Sequence, residues 1–319
     1  MIFNIQALVT IVAAVSALPA APKHRHFKHI ARDDDQHDDG VTHTGDSNGS
    51  SCSFPSDYKS MGIVKLPDNP TQTEGWAKDW KCKDGEYCPY ACPPGQLMGQ
   101  WNPNVKTYSY PGSQDGGLYC NNGKLEKHVS GNDYCYEGKG TANVQNNASK
   151  DVAFCQTVLP GNEAMLIPTE VEQGNSEKLA VPGTEYWAGT ASHFYINPPG
   201  VSAEEGCQWG STSNPYGNWS PYVAGFNMDD DGNTYAKVGW NPIYFESTSP
   251  FKDTKPEFGI KLSCNDESKC NGQTCTINPK KFGLNKVDDG GKNLKSDNAA
   301  WCIITAEDSS AVTIEVFDV

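Results

Sequence analysis

Beyond its first 17 residues this 319-residue chain has no apolar run long enough to cross a bilayer, which takes about 20 residues, so no membrane partner is expected. It is poor in positive charge: 25 Lys and Arg stand against 39 Asp and Glu, a formal net charge of −14. A phosphate backbone would be repelled, and no basic stripe offsets that field, so nucleic acid is excluded as a partner. Cys-x2-Cys pairs are missing, and with them the usual frame of a structural zinc site. So are Gly-x-Ser-x-Gly, His-Glu-x-x-His, the P-loop and the dinucleotide fingerprint. Serine-hydrolase, zinc-protease and nucleotide chemistries therefore lack support, and neither metal nor cofactor is expected.

The residues that are present point to export. Ile5 to Val15 form an apolar core closed by the small residues Val15-Ser16-Ala17, the pattern of a signal peptide over residues 1–17, although no Lys or Arg precedes Lys23. Residues 18–51 differ in composition from the remainder of the chain, with Lys23-His24-Arg25-His26, then Asp33-Asp34-Asp35, then Gly, Ser, Thr and Asn. This is the composition of a propeptide or disordered linker. The twelve cysteines are Cys52, Cys82, Cys88, Cys92, Cys120, Cys135, Cys155, Cys207, Cys264, Cys270, Cys275 and Cys302. An even number in an exported chain reads as a disulfide framework whose pairing the spacing leaves open. Asn48, Asn147 and Asn218 each begin an Asn-x-Ser glycosylation triplet.

Residues 52–319 are expected to fold as one unit, with a cysteine-rich part over about 52–160 and a β-sandwich part over about 161–319. The 31 glycines and 21 prolines suit a loop-rich β protein. Strand patterns fall at 192–196, 234–238, 257–262, 301–305 and 311–319. In the last, Val312, Ile314 and Val316 share one face while Thr313 and Glu315 take the other. One helix is expected over 149–159, with Ser149 as its cap and Val152, Cys155, Val158 and Leu159 on one face. The fold class is mainly β: a disulfide-braced antiparallel β-sandwich with few helices.

From Cys82 the chain reads CKDGEYCPYACPPGQLMGQWNP and later GGLYC, closing on Cys120. This Cys-x5-Cys-x3-Cys opening and its fourth cysteine resemble the signature of the fungal SUN proteins of the cell wall. The 27 residues between Cys92 and Cys120 exceed the family pattern, which places an insertion around residues 105–114. Asn162 to Thr169, Gly200 to Gly210 and Gly217 to Pro221 also resemble family blocks. The resemblance implies a secreted wall protein acting on β-1,3-glucan or other wall polysaccharide as a glycoside hydrolase, in remodelling or septation. The alternative is a glucan-binding wall protein without catalysis. A thaumatin-like sandwich, whose acidic cleft handles glucans, is one form such a fold could take.

Glycoside hydrolysis usually takes two carboxyl groups, one donating a proton and the other serving as nucleophile or base. Glu204 and Glu205, beside Cys207 and Trp209, lead the candidates, followed by Glu172 and Asp84, with Asp115 behind them in the lengthened loop. On a strand, adjacent Glu204 and Glu205 would face opposite sides, so one of them would serve. The competing reading of each acid is a solvated surface or turn residue. Flat rings bind pyranose faces, which nominates Trp187, Trp209, Trp219, Trp240 and Tyr222 as a substrate groove, against the reading that each ring is core. Asn227 to Asn233 resembles the start of a calcium loop, but Val238 stands where the bidentate Glu would be, so a hairpin turn at Asp231-Gly232 is expected instead. His193 is expected inside a strand without a catalytic triad, and His128 has no partner the sequence names.

Overall fold

Val312, Ile314 and Val316 are fully buried, while Thr313 and Glu315 between them are half-exposed, the mark of a strand with one face on a core. The computed structural model describes residues 50–66, 72–73, 76–77, 81–105, 116–157, 165–209, 212–288, 294–296 and 299–319. The signal peptide, most of the linker, Asn48 and Asp115 lie outside them.

Seven short strands come first: β1 (Gln72–Thr73), β2 (Trp76–Ala77), β3 (Tyr87–Cys88), β4 (Gln96–Met98), β5 (Leu118–Asn121), β6 (Lys124–Glu126) and β7 (Cys135–Glu137). Thirteen more come after them, most of them longer: β8 (Ala142–Asn146), β9 (Val152–Thr157), β10 (Leu166–Val171), β11 (Ser176–Lys178), β12 (Ser192–Ile196), β13 (Tyr222–Met228), β14 (Thr234–Trp240), β15 (Phe258–Cys264), β16 (Cys270–Asn271), β17 (Cys275–Ile277), β18 (Leu294–Ser296), β19 (Ala299–Ala306) and β20 (Val312–Asp318). The α-helices, α1 (Ala203–Gly206) and α2 (Pro279–Phe282), have one turn each.

Two sheets carry the second half. One runs β10-β9-β12-β13-β14-β19-β16, with β18 also on β19; the other runs β11-β8-β20-β15-β17. Their pairs are antiparallel except β8 with β20. Phe154, Phe194, Phe226 and Ile304 of the larger sheet share one core with Val144, Ile260, Leu262 and Ile314 of the smaller, so the two pack as a sandwich. Cys275–Cys302 and Cys264–Cys270 cross between the sheets, and Cys155–Cys207 ties α1 to the outside of β9.

Strands β3 to β7 form a lobe with its own core around Cys88, Tyr90, Leu118 and Cys120, which extends to Met165 and Ile167 beside the sandwich. It holds the other bridges, Cys52–Cys120, Cys82–Cys88 and Cys92–Cys135. Cys52, Cys82 and Cys120 cluster at metal-like spacing, but all three are oxidised and none is a thiolate ligand. The lobe docks through the backbone bond from the Lys139 amide to the Val181 carbonyl (2.9 Å).

The expected strands at 192–196, 234–238, 257–262, 301–305 and 311–319 are present within a few residues of their ends. The helix expected over 149–159 is instead β9. Val152 and Phe154 face the sandwich core, while Ala153 and Cys155 are buried beneath α1. A strand covered on both faces loses its alternation, so its apolar residues imitate a helical stripe. β8 and β9, which fall within the expected cysteine-rich part, pair into the two large sheets. Asn147 is exposed, but Asn218 is 4% exposed. That leaves no room for a glycan on Asn218, so its triplet is a chance match.

Candidate functional site

The aromatic groove nominated from the sequence is largely core. Tyr222 is fully buried between Trp240 and Phe258, with both ring centroids 4.9 Å away, and its hydroxyl donates to the Phe258 carbonyl at 2.9 Å. The indole of Trp240 is 1% exposed and donates to the Lys286 carbonyl. Trp219, 2% exposed, meets Phe251 edge to face. A ring without an accessible face cannot stack on a sugar. Trp187 is buried as well, its Nε1 donating to the Val105 carbonyl at 3.1 Å. Trp209 alone of the five stays half-exposed, edge to face with Tyr195. The signal was available: Tyr222, Ala224, Phe226 and Met228 alternate on one face of β13, and Trp240 ends the matching face of β14.

The nominated acids do not converge. Glu204 and Glu205 form the first turn of α1, where the Ser202 hydroxyl accepts from the Glu205 amide, so they are not on opposite sides of a strand. Both are exposed near Trp209, and burial together with the Glu205 charge raises the Tyr216 hydroxyl. Glu172 caps the β10–β11 turn, accepting from the Asn175 side-chain amide at 2.9 Å. Asp84 lies in the lobe, accepting from the Asn122 backbone. His193 sits in β12 as expected, and His128 meets Tyr87 and Tyr119.

A different set of acids is brought together where the lobe meets the sandwich. After β11, Leu179, Ala180 and Val181 enter the core, and the Met228 amide bonds the Pro182 carbonyl. Tyr186 and Trp187 then turn inward, with Trp101 of the lobe against the Tyr186 ring at 6.1 Å. Anchored on both sides, the loop leaves Thr184 and Glu185 exposed. The Thr184 hydroxyl donates to Asp230 at the tip of the β13–β14 hairpin, and Glu185 pairs with Lys139 of the lobe at 2.9 Å.

The hairpin tip turns where expected, with Gly232 at φ 82°, a region that favours glycine. Asp229 secures it, accepting from the Asn233 amide (2.8 Å), the Asn233 side chain (3.0 Å), the Asp231 amide (3.1 Å) and the Tyr235 hydroxyl (2.8 Å). Burial alone would push this carboxyl up, but the donors outweigh it and hold it below its ordinary value.

Nearby, the Tyr136 hydroxyl of β7 is buried with no hydrogen-bond partner among the described residues. Burial first, and the Glu185 charge second, push it far up, so it remains a proton donor. The seam thus combines Glu185 from a loop, Asp230 from a hairpin and an unpartnered hydroxyl, flanked by Trp101 and Tyr186. Glu172 lies at the opposite end of the sandwich: it follows Val171, whose row runs through Val152 to the Tyr222 end of β13, whereas Asp230 follows Met228. Of the acid-aromatic run Glu185-Tyr186-Trp187, the trace the seam left in the sequence, only Trp187 was nominated.

The family model described as "Beta-glucosidase (SUN family)" matches residues 47–304. An uncharacterized protein of Saccharomyces cerevisiae is 55% identical over 276 residues, 85% of this chain and 77% of that one. The probable secreted beta-glucosidase adg3 of Schizosaccharomyces pombe is 45% identical over 84% of this chain, which spans 23% of that protein. The probable secreted beta-glucosidase UTH1 of Saccharomyces cerevisiae is 39% identical over 60% of this chain and 51% of its own length. Among solved structures, a thaumatin-like xylanase inhibitor aligns over 56% of this chain at 10% identity and a TM-score of 0.31. With its signature cysteines bridged in the lobe and the family match running across both lobe and sandwich, the chain belongs to the SUN family.

Proposed function

We propose that this protein is a secreted glycoside hydrolase of the fungal wall that cleaves β-linked glucan, with β-1,3-glucan as its substrate, at the seam between lobe and sandwich. The observation that carries the reading is the bond from the Thr184 hydroxyl to Asp230, which brings the hairpin tip to the loop that bears Glu185, beside the buried Tyr136 hydroxyl. Two carboxyl groups at one site are the minimum for glycoside hydrolysis. Glu185, ion-paired with Lys139, is assigned the nucleophile or base role, and Asp230 the proton-donor role. Asp229 shapes the hairpin. The names of relatives as probable secreted beta-glucosidases support hydrolysis and export, and a role in wall remodelling or septation follows from that substrate.

The ion pair at Glu185 also favours a second reading, a glucan-binding wall protein whose acids only hydrogen-bond sugar hydroxyls. Incubating the secreted protein with laminarihexaose and with insoluble β-1,3-glucan, and following reducing ends, separates the two. New ends that disappear in Glu185→Gln and in Asp230→Asn establish hydrolysis at this seam. Ends that survive both substitutions reject the site, and retention on glucan without new ends establishes the second reading.

A further inference from the structure

The cysteine signature places its tyrosines outward. In β3 and β5, Tyr87 is the register partner of Tyr119, and Cys88 of Leu118. Because side chains alternate across a strand, Cys88, Leu118 and Cys120 enter the lobe core, each no more than 1% exposed, while Tyr87 and Tyr119 stand on the other face, half-exposed. Their ring centroids are 5.2 Å apart. His128, exposed just beyond β6, completes a trio, its ring 5.2 Å from Tyr87 and 5.7 Å from Tyr119.

The strands approach this closely because of Gly117: a Cβ there would lie 1.9 Å from the Cys88 carbonyl oxygen, and its φ is 118°. Cys52–Cys120 and Cys82–Cys88 brace the sheet from behind. The same outward face carries hydrogen-bonding groups beside the rings. Glu126 is opposite Tyr119, and its Oε1 accepts from the Asn121 side chain at 3.2 Å. Asn121 in turn accepts from the Asn122 side-chain amide at 2.9 Å. Lys124 balances Glu126 in charge.

We propose that Tyr87, Tyr119 and His128 form a second carbohydrate site, an accessory platform that holds a pyranose unit of a β-linked glucan. Aromatic faces flanked by amide and carboxylate oxygens suit the apolar face and equatorial hydroxyls of a glucose ring, and balanced charge suits a neutral ligand. The bridged sheet keeps the rings in place before binding, so little entropy is lost. None of these residues belongs to the Glu185 seam, and the platform would keep the enzyme on an insoluble chain while the seam acts. The choice of glucan over other ligands rests on the function proposed above; the platform's geometry does not.

Binding is tested without turnover, in a Glu185→Gln background, by depletion of full-length protein onto insoluble β-1,3-glucan, with chitin and cellulose as parallel arms. Tyr87→Ala/Tyr119→Ala is expected to weaken retention on β-1,3-glucan about tenfold, as one or two stacking contacts predict. In the otherwise wild-type protein it should leave hydrolysis of soluble laminarihexaose unchanged. Equal retention of the double variant, or retention on chitin in preference to both glucans, overturns the proposal. Because the tyrosines adjoin two bridges, His128→Ala serves as a milder variant, expected to lose about two- to threefold. Titration of laminarihexaose against the His128 ring-proton NMR signals gives an independent reading: a saturable shift supports the platform, and none overturns it. Failure of the seam would show as absent hydrolysis with retention intact.

Discussion

Lys139 and Glu185 lie 2.9 Å apart, joining the end of the lobe to the loop after β11, with about a third to a half of each side chain open to water. An open pair of this kind contributes no more than about 0.5 kcal/mol, so its role is position and not stability. Glu185→Gln is expected to leave the melting temperature within about 2 °C of wild type while glucan hydrolysis falls about 100-fold or more. Lys139→Met should share the unchanged melting temperature and lose less activity. Differential scanning fluorimetry beside a reducing-end assay checks both, and a melting temperature that falls with activity would make Glu185 structural.

Tyr222→Phe tests whether that ring belongs to the core or to a groove. The substitution keeps the contacts with Trp240 and Phe258 and deletes the hydroxyl that donates to the Phe258 carbonyl. A buried acceptor left without its donor costs about 1–3 kcal/mol. Urea unfolding should show that loss, and retention on glucan should be unchanged. Lost retention at unchanged stability would restore Tyr222 to a binding role.

The two predictions draw on residues with opposite legibility. Strands with one solvated face announce themselves, as Val312, Ile314 and Val316 do, because burial of one side forces a period of two. The doubly covered β9 hides, whereas the inward phase of Tyr222 and Trp240 was readable only from the alternation of their strands, since an aromatic has the same letter in a core and in a groove. Bridges and family were legible because cysteine chemistry and the signature are local. The seam was not. Asp230 lies 45 positions after Glu185, and the hairpin reaches the Glu185 loop only through the long-range bond from Thr184, so the short acid-aromatic run at Glu185 was its one local trace.

Removal of bridges should rank by the chain they close. Cys275–Cys302 spans 27 residues and Cys82–Cys88 spans 6, so the chain-entropy argument assigns about 3.5 kcal/mol to the first and about 2.2 kcal/mol to the second. All four cysteines are buried, so truncation leaves a cavity in either case and loop length decides the order. The Cys275→Ala/Cys302→Ala protein should therefore lose more in guanidinium unfolding than Cys82→Ala/Cys88→Ala. The reverse order would place the limiting cooperative unit in the lobe.

Asp229 gives the hairpin tip a pH dependence of defined sign. Its carboxyl is held below the ordinary value of 3.8 by donors from Asn233, Tyr235 and Asp231, against the upward push of burial. A group with a depressed folded pKa contributes stability that is fully present above the unfolded value and is lost as pH falls through the folded one. Between neutral pH and about pH 4.5 this contribution should stay constant, then decline toward about pH 2.5. Asp229→Asn cannot titrate, and its amide nitrogen clashes with donors that the carboxylate accepted. At neutral pH it should therefore unfold at lower urea than wild type, with the gap closing as the wild-type carboxylate is protonated. Urea midpoints at about pH 7 and about pH 2.5 check this, and a gap that stays the same at both would show that Asp229 acts through shape alone.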